Sequence, residues 1–236
     1  MADGNVRPRN SDLRVRVVSA VVMLAVAGAA LWLGDLVWAI FVMLVAMGLL
    51  WEWRRLVGGF ETDAVKRGLW NTAGIVYIGI SAAMLLFLRS ELFGIGAVLC
   101  VLAMVIATDI GAYFAGRTIG GPKIAPAISP SKTWAGLGGG IIGASLAYAA
   151  YGQFTGELHT ISAPSALAVS LGSGAITAVV AQSGDFFESW MKRRAGVKDS
   201  GRLLPGHGGL FDRVDGLLAV LFVLGVLMVI RSAFAS

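Results

Sequence analysis

Charge is scarce in this 236-residue chain: Asp, Glu, Lys and Arg together make up 14% of it, against about a quarter in an average soluble domain. That scarcity, beside 57% hydrophobic residues and a mean hydropathy of +0.78, excludes an ordinary water-soluble globule and places the chain in a bilayer. Cysteine is nearly absent. The single Cys100 lies in an apolar run, so an intrachain disulfide framework is excluded and the thiol reads as a small core hydrophobe. No Pro/Ser-rich or charged linker interrupts the sequence and no internal repeat is visible, so residues 1–236 read as one domain.

Long apolar runs are what the chain does have. A helix rises about 1.5 Å per residue and the hydrocarbon core is about 30 Å thick, so a span needs roughly 20 apolar residues. Seven stretches qualify: 14–33, 36–53, 69–88, 93–115, 134–152, 164–187 and 212–231. The expected fold is therefore all-α, a polytopic integral membrane bundle of about seven transmembrane helices. The formal charge of +5 invites a nucleic-acid reading, but in a membrane protein excess Lys and Arg first report orientation, and no nucleic-acid partner is expected. Seventeen of the nineteen basic residues fall in the N-terminal stretch through Arg16 or in the stretches 54–68, 116–133 and 188–213, leaving Arg89 and Arg231 on the other side. The positive-inside rule then sets the N-terminus in the cytoplasm and the C-terminus outside. Arg7, Arg9, Arg14 and Arg16 would also suit a signal peptide, whose removal leaves the downstream orientation unchanged. All seven tryptophans sit near segment ends, as expected of rings at the headgroup level. The glycines at 136, 138, 139, 140 and 143 have the spacing that lets helix backbones approach closely, and we assign them packing and no chemistry.

Ionised side chains are costly inside a membrane and need a partner or a water-filled cavity. Several acids nevertheless lie towards the basic side. Asp109 and Tyr113 share a helical face, as do Asp185, Glu188 and Ser189 at the end of the sixth segment, and Asp212 and Asp215 at the start of the seventh. Two carboxylate-bearing helix ends joined by a short loop can converge on one point, and hard cations such as Mg²⁺ want oxygen ligands that phosphates complete. Simple pairing of these acids with Lys192, Arg193, Arg194, Lys198, Arg202 and Arg213 is the plainer alternative. The loop also carries Gly206-His207-Gly208-Gly209, whose glycines let backbone N–H groups approach anions, so phosphate chemistry is the natural inference. His207 suits either a structural hydrogen bond in the loop or a catalytic role. A second loop offers Gly120-Gly121-Pro122-Lys123 and Ser129-Pro130-Ser131-Lys132-Thr133-Trp134, in which Ser131 or Thr133 is a candidate helix N-cap and Lys132 a candidate phosphate contact.

The stretch from Ser189 to Asp215 resembles the signature of the bacterial phosphatidate cytidylyltransferase (CDP-diacylglycerol synthase) family: Ser, then Lys192-Arg193, Lys198-Asp199, Pro205, His207-Gly208-Gly209 and Asp212-Arg213-x-Asp215. Residues 183–216 form the signature region, and the Asp109–Arg117 run and Lys132-Thr133-Trp134 are similar to further family motifs. Ala135 departs from the pattern, standing where family members carry Glu, so no acid serves at that position here.

The resemblance implies transfer of CMP from CTP to phosphatidic acid with release of pyrophosphate, in phospholipid biosynthesis. It implies Mg²⁺ as cofactor, with K⁺ beside it, and Asp185 and Asp212 as metal ligands. Asp185, Asp212, Asp215 and Lys192 are then catalytic, and Lys132, Ser189, Arg193, Lys198, His207 and Arg213 bind substrate. It also implies a homodimer in the bacterial inner membrane, multi-pass, with membrane lipid around it and the active site on the cytoplasmic side. Two rivals fare worse. A CDP-alcohol phosphotransferase, suggested by Asp212-Arg213-Val214-Asp215-Gly216, would need further spaced aspartates downstream, and none follows Asp215. A cation transporter would need acids near the bilayer midplane, whereas these cluster towards one side.

Overall fold

The computed structural model describes residues 9–204 and 206–235, with side chains from residue 14 onwards except 15 and 235. Arg7 and Pro205 lie outside the described residues. Seven α-helices run through the described chain: α1 Arg9–Leu33, α2 Asp35–Phe60, α3 Ala64–Leu88, α4 Gly94–Thr118, α5 Trp134–Thr155, α6 Ala163–Arg194 and α7 Phe211–Ala235. Each matches one of the seven apolar segments, and α2 and α6 continue beyond the expected edges. Six are long and apolar enough to cross a membrane by length and hydropathy; the glycine-rich α5, 22 residues long, packs along α4 and α6 in the same bundle. The protein is an all-α, multi-pass membrane bundle.

Local chemistry sets the boundaries. Gly34 at φ +69° breaks α1 from α2, and an added Cβ there would lie 2.6 Å from the Arg89 guanidinium. Asp63 caps α3 by accepting from the Lys66 N–H at 2.8 Å. Thr133 caps α5, accepting from the Gly136 N–H at 3.0 Å, which settles the Ser131-or-Thr133 alternative. Ser162 caps α6. The loop after α4 differs from expectation by folding into an antiparallel hairpin, β1 Lys123–Ala125 with β2 Ser129–Thr133.

Consecutive helices run up and down, and α7 inserts between α3 and α6. Lipid offers no hydrophobic drive for helices to associate, so close backbone approach has to supply the contact. The α4–α5 seam shows this: an added Cβ on Gly139 would lie 2.4 Å from the Gly111 carbonyl, and one on Gly143 would lie 2.3 Å from that of Ala107. Gly138 faces open space, so the packing reading holds for Gly139 and Gly143 and not for it. The outer surface is covered by apolar side chains such as Val21, Leu24, Leu44, Ile75, Ile106 and Leu146, as a lipid-facing surface requires.

The largest core cluster joins α2, α3, α6 and α7 around Trp53, Ile78, Met191, Phe211 and Leu218. Trp53 is 2% exposed and donates its indole N–H to the Trp70 carbonyl at 2.9 Å. Its ring packs with Trp70, Tyr77, Phe187 and Phe211. Trp38 is also buried. Interfacial placement therefore fits the exposed Trp32, Trp51 and Trp134 but not these two, because α2 continues to Phe60 and carries Trp53 into the bundle.

Candidate active site at the α6–α7 crossing

Two acid-bearing helices cross at a glycine contact. A Cβ on Gly184 of α6 would lie 2.5 Å from the Asp215 carbonyl and 2.7 Å from the Ala219 Cβ, while one on Gly216 of α7 would lie 3.2 Å from the Ala181 carbonyl. Only glycine lets α6 and α7 come this close, and the closeness brings the side chains of Asp185 and Asp215 against one another. Asp185 lies within α6, not at its end, since the helix continues through Lys192, Arg193 and Arg194.

The charges pair across elements. Lys132, raised on β2 of the hairpin, makes an ion pair with Asp185. Asp109 of α4 interacts electrostatically with both. Two turns further along α6, Lys192 bridges Glu188 Oε2 at 2.5 Å and Asp212 Oδ1 at 2.6 Å. Glu188 is 1% exposed, and its other oxygen, Oε1, is buried without a hydrogen-bond partner. The remaining Asp212 oxygen, Oδ2, accepts from the backbone N–H of Ser200 at 3.0 Å, from the N–H of Gly209 at 2.9 Å and faces the Ser200 hydroxyl at 3.0 Å. Asp212 thus turns Oδ2 to the loop and Oδ1 to Lys192.

The α6–α7 loop is folded back on this cluster. A bridge joins Leu204 to Gly208, and Gly208 takes φ +86°, so the turn needs glycine there. Arg213 donates to the His207 carbonyl through Nε at 3.1 Å and Nη2 at 2.5 Å. The His207 ring meets the Ser19 hydroxyl of α1 at 2.9 Å, a hydrogen bond that ties the loop to α1. Arg194 stacks over Phe60 and Trp190 at 5.3 Å from each ring.

Of the residues singled out in the sequence, Lys132, Asp185, Glu188, Lys192, Asp212 and Asp215 are gathered at the crossing. His207 and Arg213 build the adjacent loop. Arg193 and Lys198 are exposed on its rim and Ser189 is half-buried. Among the described residues, no group of three or more His, Cys, Asp and Glu side chains is assembled as a metal cage. The residue missed by the sequence reading is Glu52 of α2, fully buried, which accepts from the N–H groups of Leu210 and Phe211 and faces the Ser200 hydroxyl. An acid inside an apolar helix was its only signal.

The chain is similar to known proteins of one family. A profile of the Cytidylyltransferase family matches residues 60–231. A phosphatidate cytidylyltransferase of Brucella suis is 35% identical over 251 residues, covering 89% of this chain and 90% of that protein. One from Rickettsia bellii is 33% identical over 89% of this chain and 88% of its own length. One from Pseudomonas aeruginosa is 36% identical over 68% of this chain and 58% of its own length. The matched stretch contains both halves of the α6–α7 crossing, the hairpin and the loop between them, and the chain belongs to the cytidylyltransferase family.

Proposed function

We propose that the chain transfers CMP from CTP to phosphatidic acid, giving CDP-diacylglycerol and pyrophosphate. The observation that carries this reading is the convergence of Asp185, Glu188, Asp212 and Asp215 with Lys132 and Lys192 beneath a glycine-bearing loop, in a bundle whose outside is apolar. A phosphate oxygen of phosphatidate forms a new bond to the α-phosphorus of CTP, and the bond from that phosphorus to the bridging oxygen breaks to release pyrophosphate. Two polyanions have to meet before either change occurs, so positioning and charge neutralisation dominate catalysis. Lys132 and Lys192 are placed to exchange their carboxylate partners for phosphate oxygens, and the exposed Arg193 and Lys198 to draw CTP to the rim.

The side chains also fit Mg²⁺. The donor set is all oxygen, three carboxylates pair with two lysines while a fourth, Asp215, lies against Asp185, and Glu188 Oε1 has no hydrogen-bond partner. Asp185 and Asp212 would hold the ion, with Glu188 and Asp215 in support and a monovalent cation such as K⁺ beside them. When bound, Mg²⁺ supplies neutralisation of the triphosphate charge. Asp212 keeps its orientation through the loop amides, independently of the ion.

The lipid tails have a place on this reading. A cavity of about 740 Å³ between α3, α6 and α7 is lined by Leu69, Val76, Tyr77, Val180, Phe187 and Phe222 and reaches Gly184, next to Asp185. Leu69 and Val76 are exposed at its mouth, so tails could stay in the bilayer while the phosphate meets the lysines. The excess of Lys and Arg in these loops supports a cytoplasmic position for this end of the bundle, by the positive-inside rule, and the family resemblance supports a homodimer, which light scattering in detergent would measure. The deciding experiment incubates purified protein in mixed micelles with phosphatidate, Mg²⁺ and radiolabelled CTP. Label should enter the lipid extract as pyrophosphate appears; label that stays aqueous with folded protein present would refute the activity.

A further inference from the structure

Glu52 lies in α2, ahead of the residues 60–231 that match the family profile. A carboxylate fully removed from water persists only where its oxygens are satisfied. Both are. Oε1 accepts from the Leu210 N–H at 2.9 Å; Oε2 accepts from the Phe211 N–H at 2.8 Å and stands 3.0 Å from the Ser200 hydroxyl. The two amides are those entering α7, which carry the partial positive charge of a helix start, so α2 caps α7 across the bundle. The loop is shaped around this carboxylate: a Cβ on Gly201 would lie 2.1 Å from Oε1, and one on Gly209 would lie 2.8 Å from Oε2. Ser200 and Gly209 are also the residues that hold Asp212 Oδ2. The Ser200 hydroxyl has one proton for two carboxylates, which ties their positions to one another.

We propose that Glu52 is a positioning residue: by clamping Ser200, Leu210 and Phe211 to α2 it fixes the Asp212 carboxylate with Oδ2 against the loop and Oδ1 towards the substrate phosphates. The proposal rests on the nucleotidyl-transfer reading for its kinetic consequence, and on the fold alone for the clamp. Removing the clamp leaves Asp212 chemically intact and free to turn.

The test uses the full chain in detergent with Glu52→Gln, Glu52→Ala and Gly201→Ala. Gln presents a donor where the loop also presents donors, and Gly201→Ala pushes on the carboxylate from the loop side without altering α2. Measured per folded molecule, kcat should fall about thirtyfold or more in each, with the KM for phosphatidate within about threefold of wild type and half-saturation by Mg²⁺ shifted upward. Trypsin should cut after Lys198 or Arg202 about tenfold faster, well below the melting temperature. If the variants only lose melting temperature, while kcat per folded molecule and the trypsin rate stay at wild-type values, Glu52 is ordinary core and the proposal is overturned. If Glu52→Ala does not fold, Gly201→Ala decides by the same readings. Should wild type make no CDP-lipid, the activity reading falls, and the trypsin rates still confirm or reject the clamp.

Discussion

Asp212→Asn separates the two jobs of one carboxylate. In the wild type Oδ2 meets the Ser200 N–H, the Ser200 hydroxyl and the Gly209 N–H, while Oδ1 meets Lys192 at 2.6 Å. Asparagine keeps one acceptor, and placing its carbonyl oxygen against the loop preserves all of the Oδ2 contacts. Its NH₂ group then faces the Lys192 ammonium, donor against donor. The structural loss is one charge-assisted hydrogen bond, worth about 1.5–3 kcal/mol. The lower end applies, because Lys192 retains Glu188 at 2.5 Å. The catalytic loss should be larger, since the negative charge that balances metal and lysine around the phosphates is gone. We expect the transfer rate to fall at least about a hundredfold, roughly 2.7 kcal/mol, with trypsin protection of the loop kept. Asp185→Asn should behave alike, and the double variant should be little worse than either single, because the two acids act as one unit. The assay is label from CTP in extracted lipid at limiting Mg²⁺. Near-normal synthesis by both single variants would refute the metal assignment, and fully additive losses would refute the shared site.

Three further outcomes can be checked independently. Single cysteines at Thr155 and Lys198, in a Cys100→Ala background, should react with an impermeant thiol reagent from opposite sides of the membrane; labelling of both from the periplasm would overturn the orientation. Ala73→Trp, which fills the cavity between α3, α6 and α7, should raise the KM for long-chain phosphatidate several-fold while sparing a short-chain, soluble analogue, and equal effects on both would remove the tails from that cavity. Gly143→Ala should lower stability by about 1–3 kcal/mol through overpacking of the α4–α5 seam, whereas Gly138→Ala, with no neighbour at its Cβ, should be neutral or stabilising in thermal unfolding.

Much of this was legible because hydropathy and helical spacing are local. The seven segments, the shared face of Asp185 and Glu188, and the loop glycines are all written in residues a few positions apart. What escaped is non-local. Lys132 was readable as a phosphate contact, yet its pairing with Asp185 depends on a short hairpin that raises it to α6, and three- and five-residue strands leave no periodic trace. Glu52 is the one acid in the interior of α2, two residues before Arg54. Its partners lie about 150 residues away in sequence, and nothing in α2 names them. Trp53 misled for the same reason: a tryptophan near basic residues has the composition of an interface, and only the continuation of α2 to Phe60 carries it into the core.

The length of α6 bears on which membranes the protein can serve. Its 32 residues extend about 48 Å, well beyond a hydrocarbon layer of about 30 Å. Asp185 comes about 33 Å along that axis from Ala163, near the depth at which a lipid phosphate already rests. Neither lifting of the lipid nor local thinning of the bilayer is then required for the headgroup to reach the carboxylates. The same rod makes the enzyme a depth gauge: thickening the bilayer by a few ångströms would sink the site below the headgroups, and the lipids around it would have to compress to compensate. Turnover should therefore track acyl-chain length in the surrounding membrane even when the substrate lipid itself is held constant.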